Sequence, residues 1–334
     1  MIFPTTYSTL DPAALASYAS KQYDLPNCSG RLILRGVGDT YLIDSGKGRF
    51  VMRVYRNSHR TLEQIQAEVE LLLALKEAGV SVSHPIADRS CSYIQHIEAA
   101  EGKRHTVLFT FAAGDSPILL SSTQLEALGN EVGKFHQVSS TIKLSTGRWA
   151  FDIHSTLVEP MERSRPYFES LPDELTWWLH ATGKAQDVLK ASSLTPLHSG
   201  YCHYDFLPKN FHFKDQQITL FDFDFFGHGW LINDIMTFWT QLCLDVQFNR
   251  LTQADADRSF DTFLNAYQRH RSVSQAELEI IPSLSIGWWC YYMGFHASHD
   301  QFLTFVQPSH LKMRTALLKQ LVDKNWHRGL VGRA

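Results

Sequence analysis

The chain has 334 residues, of which 44% are hydrophobic, and its formal net charge is -3. A chain of this length and composition can bury a substantial core in one large domain or two smaller ones, which excludes a disordered protein. Because the chain has no overall basic charge, its composition gives no support to a nucleic-acid or anionic-membrane partner. Any ligand must therefore be recognised locally.

The five cysteines are odd in number, widely spaced and without a CxxC pair: Cys28, Cys91, Cys202, Cys243 and Cys290. This pattern argues against a disulfide framework and a structural zinc site, and favours a reducing cytoplasm. The N-terminus lacks a basic region followed by an apolar core, so we expect no signal peptide. The most apolar stretch, residues 280–295, is interrupted by Pro282 and is shorter than a membrane span, so it predicts a buried core helix.

The chain begins with signals for one helix followed by three β-rich segments. Asp11 and Pro12 form a typical helix start, and we predict a helix through about Tyr23. The segments "RLIL", "TYLI" and "RFVMRVYR" are separated by glycine turns, which is typical of an antiparallel meander. In the last of these segments, Arg53 shares a face with apolar neighbours.

The second predicted helix places a carboxylate beside its apolar stripe. Thr61 and Gln64 have the spacing of a capping box, and Gly79 closes the helix. Glu68 lies at the edge of the inward-facing stripe. A carboxylate in that position requires a cation.

Helical signals dominate after the strand-like segments "YIQHI" and "TVLFTF". Thr123 and Glu126 have the spacing of another capping box. This order of elements predicts an α+β fold, with a small β-rich N-terminal lobe over residues 1–112 and a larger, mostly helical C-terminal lobe over residues 113–334.

Two segments of the C-terminal half, "CHYDFLPKNFHF" and "ITLFDFDFFGHG", carry polar residues at the ends of short apolar runs. Two hairpin ends are the plain interpretation. However, Asn210 and Asp222 offer the hard oxygen ligands that suit Mg²⁺. Phosphoryl transfer also needs a base near the acceptor hydroxyl and a cation on the nucleotide phosphates, and Asp205 and Arg53 have the required chemistry. We expect Glu68 to hold Arg53 through a two-pronged ion pair.

These residues resemble the aminoglycoside phosphotransferase and choline kinase-like family, which is related to the protein kinases. "HYDFLPKN" matches that family's catalytic loop, H-x-D-x-x-x-x-N, and "LFDFD" matches its metal motif. The downstream segment "GHGWLINDI" supplies Asp234, which by resemblance braces the catalytic loop. The resemblance covers roughly residues 28–240 and implies a bilobal protein-kinase-like fold that uses ATP and Mg²⁺.

The resemblance also implies roles for individual residues. Asp205 would be the catalytic base, Asn210 and Asp222 would bind Mg²⁺, and Asp224 would be an auxiliary metal contact. The implied nucleotide-binding residues are the phosphate-binding arginine with its glutamate, the glycine turn, the apolar side chains near adenine and the hinge backbone: Arg53, Glu68, Gly36, Gly38, Val51, Phe109, Thr110, Phe111 and Ala112.

The expected acceptor is a hydroxyl of a small molecule, namely an amino alcohol, a sugar, an amino acid or an antibiotic. Leu207 stands where protein kinases usually carry a lysine, which favours a small-molecule acceptor. The C-terminal sequence "NWHRGLVGRA" is basic, which disfavours a polycationic antibiotic. A protein serine/threonine kinase of the same family and a non-catalytic nucleotide-binding scaffold are the alternatives. We expect a monomer or homodimer with no nucleic-acid or membrane partner.

Several other residues have two interpretations. Lys209 occupies a site often held by glycine, where it could reach a phosphate or point to solvent. We expect His203 to bond backbone near the loop and His136 to be a helix-end residue. Aromatic residues including Trp288 and Tyr292 either pack in the core, which is the plainer interpretation, or line an acceptor pocket.

Overall fold

The structure is a computed structural model that describes residues 3–192 and 197–325. Within these residues the α-helices are α1 (Pro12–Tyr23), α2 (Leu62–Glu77), α3 (Ser122–Ser139), α4 (Glu159–Ser164), α5 (Pro172–Ser192), α6 (Ile232–Gln247), α7 (Gln253–Gln268), α8 (Gln275–Glu279), α9 (Ile281–Ala297) and α10 (Pro308–Asn325). The strands are β1 (Ser29–Arg35), β2 (Gly38–Ser45), β3 (Gly48–Tyr55), β4 (Ile94–Ala99), β5 (Gly102–Thr110), β6 (Ala150–Phe151), β7 (Ser199–Cys202), β8 (Phe211–Lys214), β9 (Gln217–Leu220) and β10 (Gly227–Trp230).

The described chain divides into two compact units. The first unit comprises residues 3–115, 142–148 and 211–224, and the second comprises residues 116–141, 149–192, 197–210 and 225–325. The first unit contains most of the strands, and the second is mostly helical. The predicted α+β class is confirmed.

The first unit is built on a five-stranded sheet with the order β1-β2-β3-β5-β4. Strands β1, β2 and β3 form the predicted antiparallel meander. Alternation along β3 buries Met52 and Val54 on the face that packs against α1. Arg53 lies on the opposite face, in register with Thr40 of β2 and Val107 of β5.

Both helices at the start of the first unit begin at local caps. The side chain of Asp11 accepts a backbone hydrogen bond at the start of α1, which ends at Tyr23 as predicted. Thr61 and Gln64 form the predicted reciprocal capping box of α2. Gly79, just beyond α2, has a φ of 79°, a left-handed conformation that favours glycine.

The cap of α3 differs from the prediction. Ser121 and Gln124 form its capping box, and the helix begins at Ser122. The predicted box of Thr123 and Glu126 is therefore wrong. The sequence "SSTQLE" offers two pairs with the same spacing, and spacing alone does not choose between them.

Helix α9 is central to the second unit, where it packs against α4, α5 and α6. Trp288, Cys290 and Met293 of this helix are buried, so the predicted buried core helix is confirmed. Within residues 3–192 and 197–325, no helix combines the length and hydropathy that crossing a membrane would require.

Two small sheets position the polar segments. In the second unit, β10 pairs with β7 and with β6, and β7 ends at Cys202, directly before His203. In the first unit, β8 and β9 form a hairpin, and β9 ends at Leu220, just before Asp222. The segments that begin at His203 and at Asp222 therefore each follow the end of a strand.

Candidate active site

A buried carboxylate of α6 holds the loop of residues 203–210, here called the 203–210 loop. Asp234 Oδ2 accepts a hydrogen bond from the backbone amide of His203 at 2.8 Å, and its Oδ1 accepts one from the amide of Tyr204 at 2.6 Å. Tyr204 has a φ of 66°, in the left-handed region that bulky residues rarely adopt. Asp234 thus stabilises a strained backbone immediately before Asp205.

Two further side chains support this arrangement. His136 Nε2 lies 2.9 Å from Asp234 Oδ2, and its Nδ1 lies 2.8 Å from the hydroxyl of Tyr267. The indole of Trp288 donates a hydrogen bond to the carbonyl of Tyr204 at 3.1 Å. His136 lies in the last turn of α3 as predicted, but the sequence did not reveal its buried contact with Asp234.

The carboxylate of Asp205 is buried and is held by side chains at one oxygen. Its Oδ2 accepts a hydrogen bond from Asn210 Nδ2 at 2.8 Å and lies 2.8 Å from Lys209 Nζ. Its Oδ1 has no hydrogen-bond partner among the residues that the structure describes. Because leaving a buried acceptor unpaired is costly, Oδ1 is free to accept a hydrogen bond from a bound ligand.

Asn210 uses its amide nitrogen to shape the 203–210 loop. The nitrogen donates to both the backbone oxygen and the carboxylate of Asp205, each at 2.8 Å. These bonds do not use the amide oxygen, which is a suitable ligand for a hard cation. His203 Nδ1 accepts the amide hydrogen of Asp205 at 3.2 Å, which agrees with the backbone-bonding role expected for His203.

Arg53 of the first unit contacts three carboxylates. Its Nη1 lies 2.7 Å from Asp222 Oδ1 and 3.9 Å from Glu68 Oε1, and its Nη2 lies 3.4 Å from Asp224 Oδ1. Burial lowers the pKa of Arg53, but these carboxylates outweigh burial and hold the pKa well above its usual value. Arg53 and Glu68 make one long contact, not the expected two-pronged pair, because Nη1 is turned toward Asp222.

Glu68 is buried on the side of α2 that faces Arg53. It is 1% exposed, and the hydroxyl of Tyr55 donates a hydrogen bond to its Oε2 at 3.1 Å. Burial raises the pKa of Glu68 above its ordinary value, and the positive charge of Arg53 opposes this rise. Arg53 therefore favours the ionised form of Glu68, against the effect of burial.

Asp224 is surrounded by basic side chains. Arg60 Nη2 lies 2.7 Å from Oδ2, Arg60 Nε donates to Oδ1 at 3.1 Å, and His59 Nε2 lies 3.1 Å from Oδ2. Arg148 donates to the backbone oxygen of Asp224. Burial raises the pKa of Asp224, but Arg60 and Arg53 outweigh it and hold the pKa well below its usual value. Sequence reasoning missed Arg60, His59 and Arg148, because no local pattern links them to Asp224.

Asp222 is the more accessible aspartate of "LFDFD". Its side chain is 34% exposed, whereas that of Asp224 is 4% exposed. Its φ is 62°, a left-handed conformation that aspartate tolerates better than most residues. Oδ1 contacts Arg53, and the exposed part of the carboxylate is open to a cation.

The predicted nucleotide-binding residues of the β-sheet have defined positions. Gly36 and Gly38 close the turn between β1 and β2, where the amide of Gly36 donates to the carbonyl of Gly38 at 3.0 Å. Val51 and Phe109 are paired across β3 and β5, which places them side by side.

The main chain of the predicted hinge is partly committed to protein partners. The amide of Thr110 donates to the carbonyl of His84 at 3.0 Å, and the carbonyl of Thr110 accepts from Ser83 Oγ at 2.6 Å. The carbonyl of Ala112 accepts from His212 Nδ1 at 2.8 Å. Of the predicted hinge, the backbone of Phe111 and the backbone amide of Ala112 are therefore the groups that we expect to hydrogen-bond adenine.

The predicted residues fall into two sets, one in each unit. The first unit holds Arg53, Glu68, Asp222, Asp224, the glycine turn and the hinge, and the second unit holds Asp205 and Asn210. Across residues 3–192 and 197–325, no group of three or more His, Cys, Asp or Glu side chains is arranged to hold a metal ion.

Comparisons with known proteins agree with these motifs. A model of the phosphotransferase enzyme family matches residues 29–276. An uncharacterized protein of Deinococcus radiodurans is 29% identical over 302 residues, covering 88% of this chain and 84% of that protein. The homoserine kinase of Bradyrhizobium sp. is 26% identical over 282 residues, covering 80% of this chain and 78% of that enzyme.

Two solved structures show the same fold. The structure of an amicoumacin kinase in complex with AMP-PNP, Ca²⁺ and Ami has a TM-score of 0.74 at 19% identity, covering 96% of this chain and 97% of that chain. The structure of a microcompartment-associated aminopropanol kinase has a TM-score of 0.71 at 21% identity, covering 94% of this chain and 98% of that chain. The predicted protein-kinase-like fold is confirmed. Since the family model also matches well over half of its residues, the chain belongs to the phosphotransferase enzyme family.

Proposed function

We propose that the protein is an ATP-dependent kinase that transfers the γ-phosphate to a hydroxyl of a small molecule. The observation that carries the proposal is the carboxylate of Asp205, which Asn210 and Lys209 hold at one oxygen while the other is buried and unpaired within the described residues. Relatives named for homoserine, amicoumacin and aminopropanol support a small-molecule acceptor.

In the proposed reaction, Asp205 Oδ1 accepts the proton of the acceptor hydroxyl. The hydroxyl oxygen forms its bond to the γ-phosphorus as the bond to ADP breaks. Lys209 and Asn210 fix the direction of Oδ1 through their contacts with Oδ2. Asp234 contributes by holding the strained backbone before Asp205, because a small displacement of the base is costly in rate.

Asn210 and Asp222 are the residues that would hold Mg²⁺, since both offer oxygen ligands and magnesium commonly binds to one or two such groups together with substrate phosphates. The ion neutralises negative charge on the phosphates when it is bound. Asp224 fits a metal less well, because both of its carboxylate oxygens already accept hydrogen bonds from Arg60. We therefore assign Asp224 to positioning Arg53 and Arg60.

Arg53 would contact the nucleotide phosphates, with Asp222 and Glu68 limiting the motion of its guanidinium. The backbone of Phe111 and Ala112 would hydrogen-bond adenine. The apolar side chains of Val51 and Phe109 would flank the adenine ring. The glycine turn of Gly36 and Gly38 would flank the phosphates.

The test is ADP release, measured with a panel of hydroxyl compounds in the wild type and in Asp205→Asn. We expect the variant to lose about 10³-fold or more in kcat, because its amide accepts no proton, while Mg-ATP still raises its melting temperature. Asp215→Asn is the matched control, since Asp215 is exposed in the turn between β8 and β9 and should keep full activity.

The possible results separate the alternatives. Unchanged turnover in Asp205→Asn would contradict the assignment of the base. If Mg-ATP fails to raise the melting temperature of the wild type, a non-catalytic scaffold is favoured. Transfer of label from ATP into lysate protein, with none in the small-molecule fraction, would indicate a protein kinase.

A further inference from the structure

A stripe of aromatic residues on α9 begins at the 203–210 loop. Trp288, Tyr292 and His296 are spaced by four residues and so share one face of the helix. Trp288 donates to the carbonyl of Tyr204, the ring centroids of Trp288 and Tyr292 are 4.7 Å apart, and those of Tyr292 and His296 are 6.1 Å apart. The stripe thus runs over about two helical turns from the neighbour of Asp205 to His296.

At the far end of this stripe lies an arginine that has no carboxylate partner among the described residues. Arg314 of α10 donates from Nη2 to His296 Nδ1 at 3.1 Å, and its Nη1 is buried without a hydrogen-bond partner among the residues that the structure describes. No ion pair links Arg314 to an acidic side chain of residues 3–192 and 197–325, whereas Arg53 contacts three carboxylates. Burial lowers the pKa of Arg314 to about 10, which still leaves it charged at neutral pH.

Positive charge acts on His296, the neighbour of Arg314. Burial, followed by the charges of Arg314, His299 and Lys209, lowers the pKa of His296 to about 3. His296 is therefore neutral, which agrees with Nδ1 accepting a hydrogen bond from Arg314. The influence of Lys209 on His296 also connects this region to Asp205, since Lys209 Nζ lies 2.8 Å from the Asp205 carboxylate.

We propose that Arg314, together with His296 and Lys209, binds an oxyanion of the acceptor, so that the phosphorylated compound carries a carboxylate or a phosphate besides its hydroxyl. A guanidinium whose Nη1 is buried with no hydrogen-bond partner and no counter-charge among the described residues is costly, and an oxyanion supplies both the acceptor and the charge. The inference rests on the proposed kinase function for its substrate class, although binding of the anion can be measured without turnover.

The first experiment measures oxyanion binding. Melting temperatures are recorded with increasing sodium acetate or inorganic phosphate against sodium chloride of equal ionic strength, with AMP-PNP saturating the nucleotide site. We expect at least one oxyanion to stabilise the wild type beyond chloride. Arg314→Met should weaken this effect at least tenfold, and Arg314→Lys should retain part of it. Arg314→Met should itself melt no lower than the wild type, because it removes a partly buried charge that has no carboxylate partner among the described residues.

Equal oxyanion stabilisation in the wild type and Arg314→Met, or none in the wild type, would overturn the inference. If Arg314→Met does not fold, the comparison is made between the wild type, Arg314→Lys and His296→Gln. A purely structural Arg314 would give variants with lower melting temperatures and an unchanged response to oxyanions.

The second experiment tests the substrate class by ADP release with matched acceptors. Homoserine is paired with 3-amino-1-propanol, threonine with 1-amino-2-propanol, and glycerol 3-phosphate with glycerol, so each pair differs only in the oxyanion. We expect one anionic member to exceed its partner at least tenfold in kcat/KM, and Arg314→Met to remove most of that preference through KM. Preference for the uncharged or cationic members would contradict the inference. If no compound is turned over, the kinase proposal is weakened. The oxyanion titration still decides whether Arg314 binds an oxyanion.

Discussion

The carboxylate of Asp234 lies 2.6 Å from the backbone amide of Tyr204, the residue that precedes Asp205 in a left-handed conformation. Asp234→Asn replaces one acceptor oxygen with a donor that faces an N–H group. We expect the variant to lose about 3 kcal/mol in the free energy of unfolding and about tenfold or more in kcat. Urea denaturation and ADP release at saturating substrate measure the two effects.

The matched control for Asp234→Asn is Asp245→Asn, which alters another buried carboxylate of α6. Asp245 accepts from Gln241 and Arg250, both at 3.1 Å, and neither of these partners belongs to the 203–210 loop. This control should lose stability but keep its kcat per folded molecule. Equal losses of kcat in both variants would argue against bracing of the loop by Asp234.

The second prediction concerns the backbone at Asp222, whose φ is 62°. Asp222→Asn and Asp222→Ala both remove the charge that pairs with Arg53, but asparagine tolerates the left-handed region and alanine does not. We expect Asp222→Ala to be less stable than Asp222→Asn by about 1 kcal/mol in urea denaturation, with both variants inactive. An alanine variant as stable as the asparagine variant would show that the conformation is not strained.

The third prediction concerns pH and Arg53. Burial raises the pKa of Glu68 in the folded state above its ordinary value of 4.5. Between the ordinary pKa and the raised pKa, the folded state binds more protons than the unfolded state, so stability falls as pH rises. Arg53→Met removes the charge that opposes this rise. We expect its loss of unfolding free energy relative to the wild type to grow from pH 5 to pH 8, by at most about 1.4 kcal/mol per unit.

Urea denaturation at pH 5 and pH 8 provides the measurement for Arg53→Met, with Arg53→Lys as the charge-conserving control. The lysine variant should show a smaller dependence on pH because it keeps a cation near Glu68. A difference between Arg53→Met and the wild type that is the same at both pH values would contradict this assignment.

The fourth prediction concerns acid sensitivity at His296. Burial, together with the positive charges of Arg314, His299 and Lys209, lowers the pKa of His296 from 6.5 to about 3 in the folded state. Between these values the unfolded chain binds a proton that the folded state excludes, so stability falls as pH decreases below 6.5. Glutamine at position 296 accepts from Arg314 without titrating. We therefore compare the free energy of unfolding of His296→Gln with that of the wild type at two pH values. The variant's value relative to the wild type should be about 2 kcal/mol higher at pH 5 than at pH 7.5.

Denaturation curves of the wild type and His296→Gln at several pH values between pH 4 and pH 7.5 measure this gain. The other histidines are present in both proteins, so their titration cancels in the difference. A difference that does not vary with pH would mean that His296 titrates normally in the folded protein.

Local chemistry explains what could be predicted from the sequence. The cap at Asp11, the box of Thr61 and Gln64 and the glycine turns each depend on residues a few positions apart, and the structure has them as expected. The box at Thr123 was wrong because an equally spaced pair begins at Ser121. The 203–210 loop was recognisable because the family motif that it resembles fixes residue types at short spacing.

Contacts between distant segments explain what could not be predicted. His136 reaches Asp234 across 98 positions, and Arg60 reaches Asp224 across 164 positions, with no local pattern marking either pair. The approach of Arg53 to Glu68 was expected from the fold, but its closer contact with Asp222 depends on how the side chain turns. The absence of a carboxylate beside Arg314, within the described part of the chain, became apparent only from packing.

The discontinuity of the first unit has a consequence for dissecting this protein. Arg148, Asp222 and Asp224 belong to that unit but come from segments far downstream of its sheet. A fragment that ends at Asp115 would keep Arg53 and Glu68 while losing the two aspartates nearest to Arg53. Such a fragment would expose charged groups that later parts of the chain neutralise in the folded protein, so the excised sheet should be an unstable product.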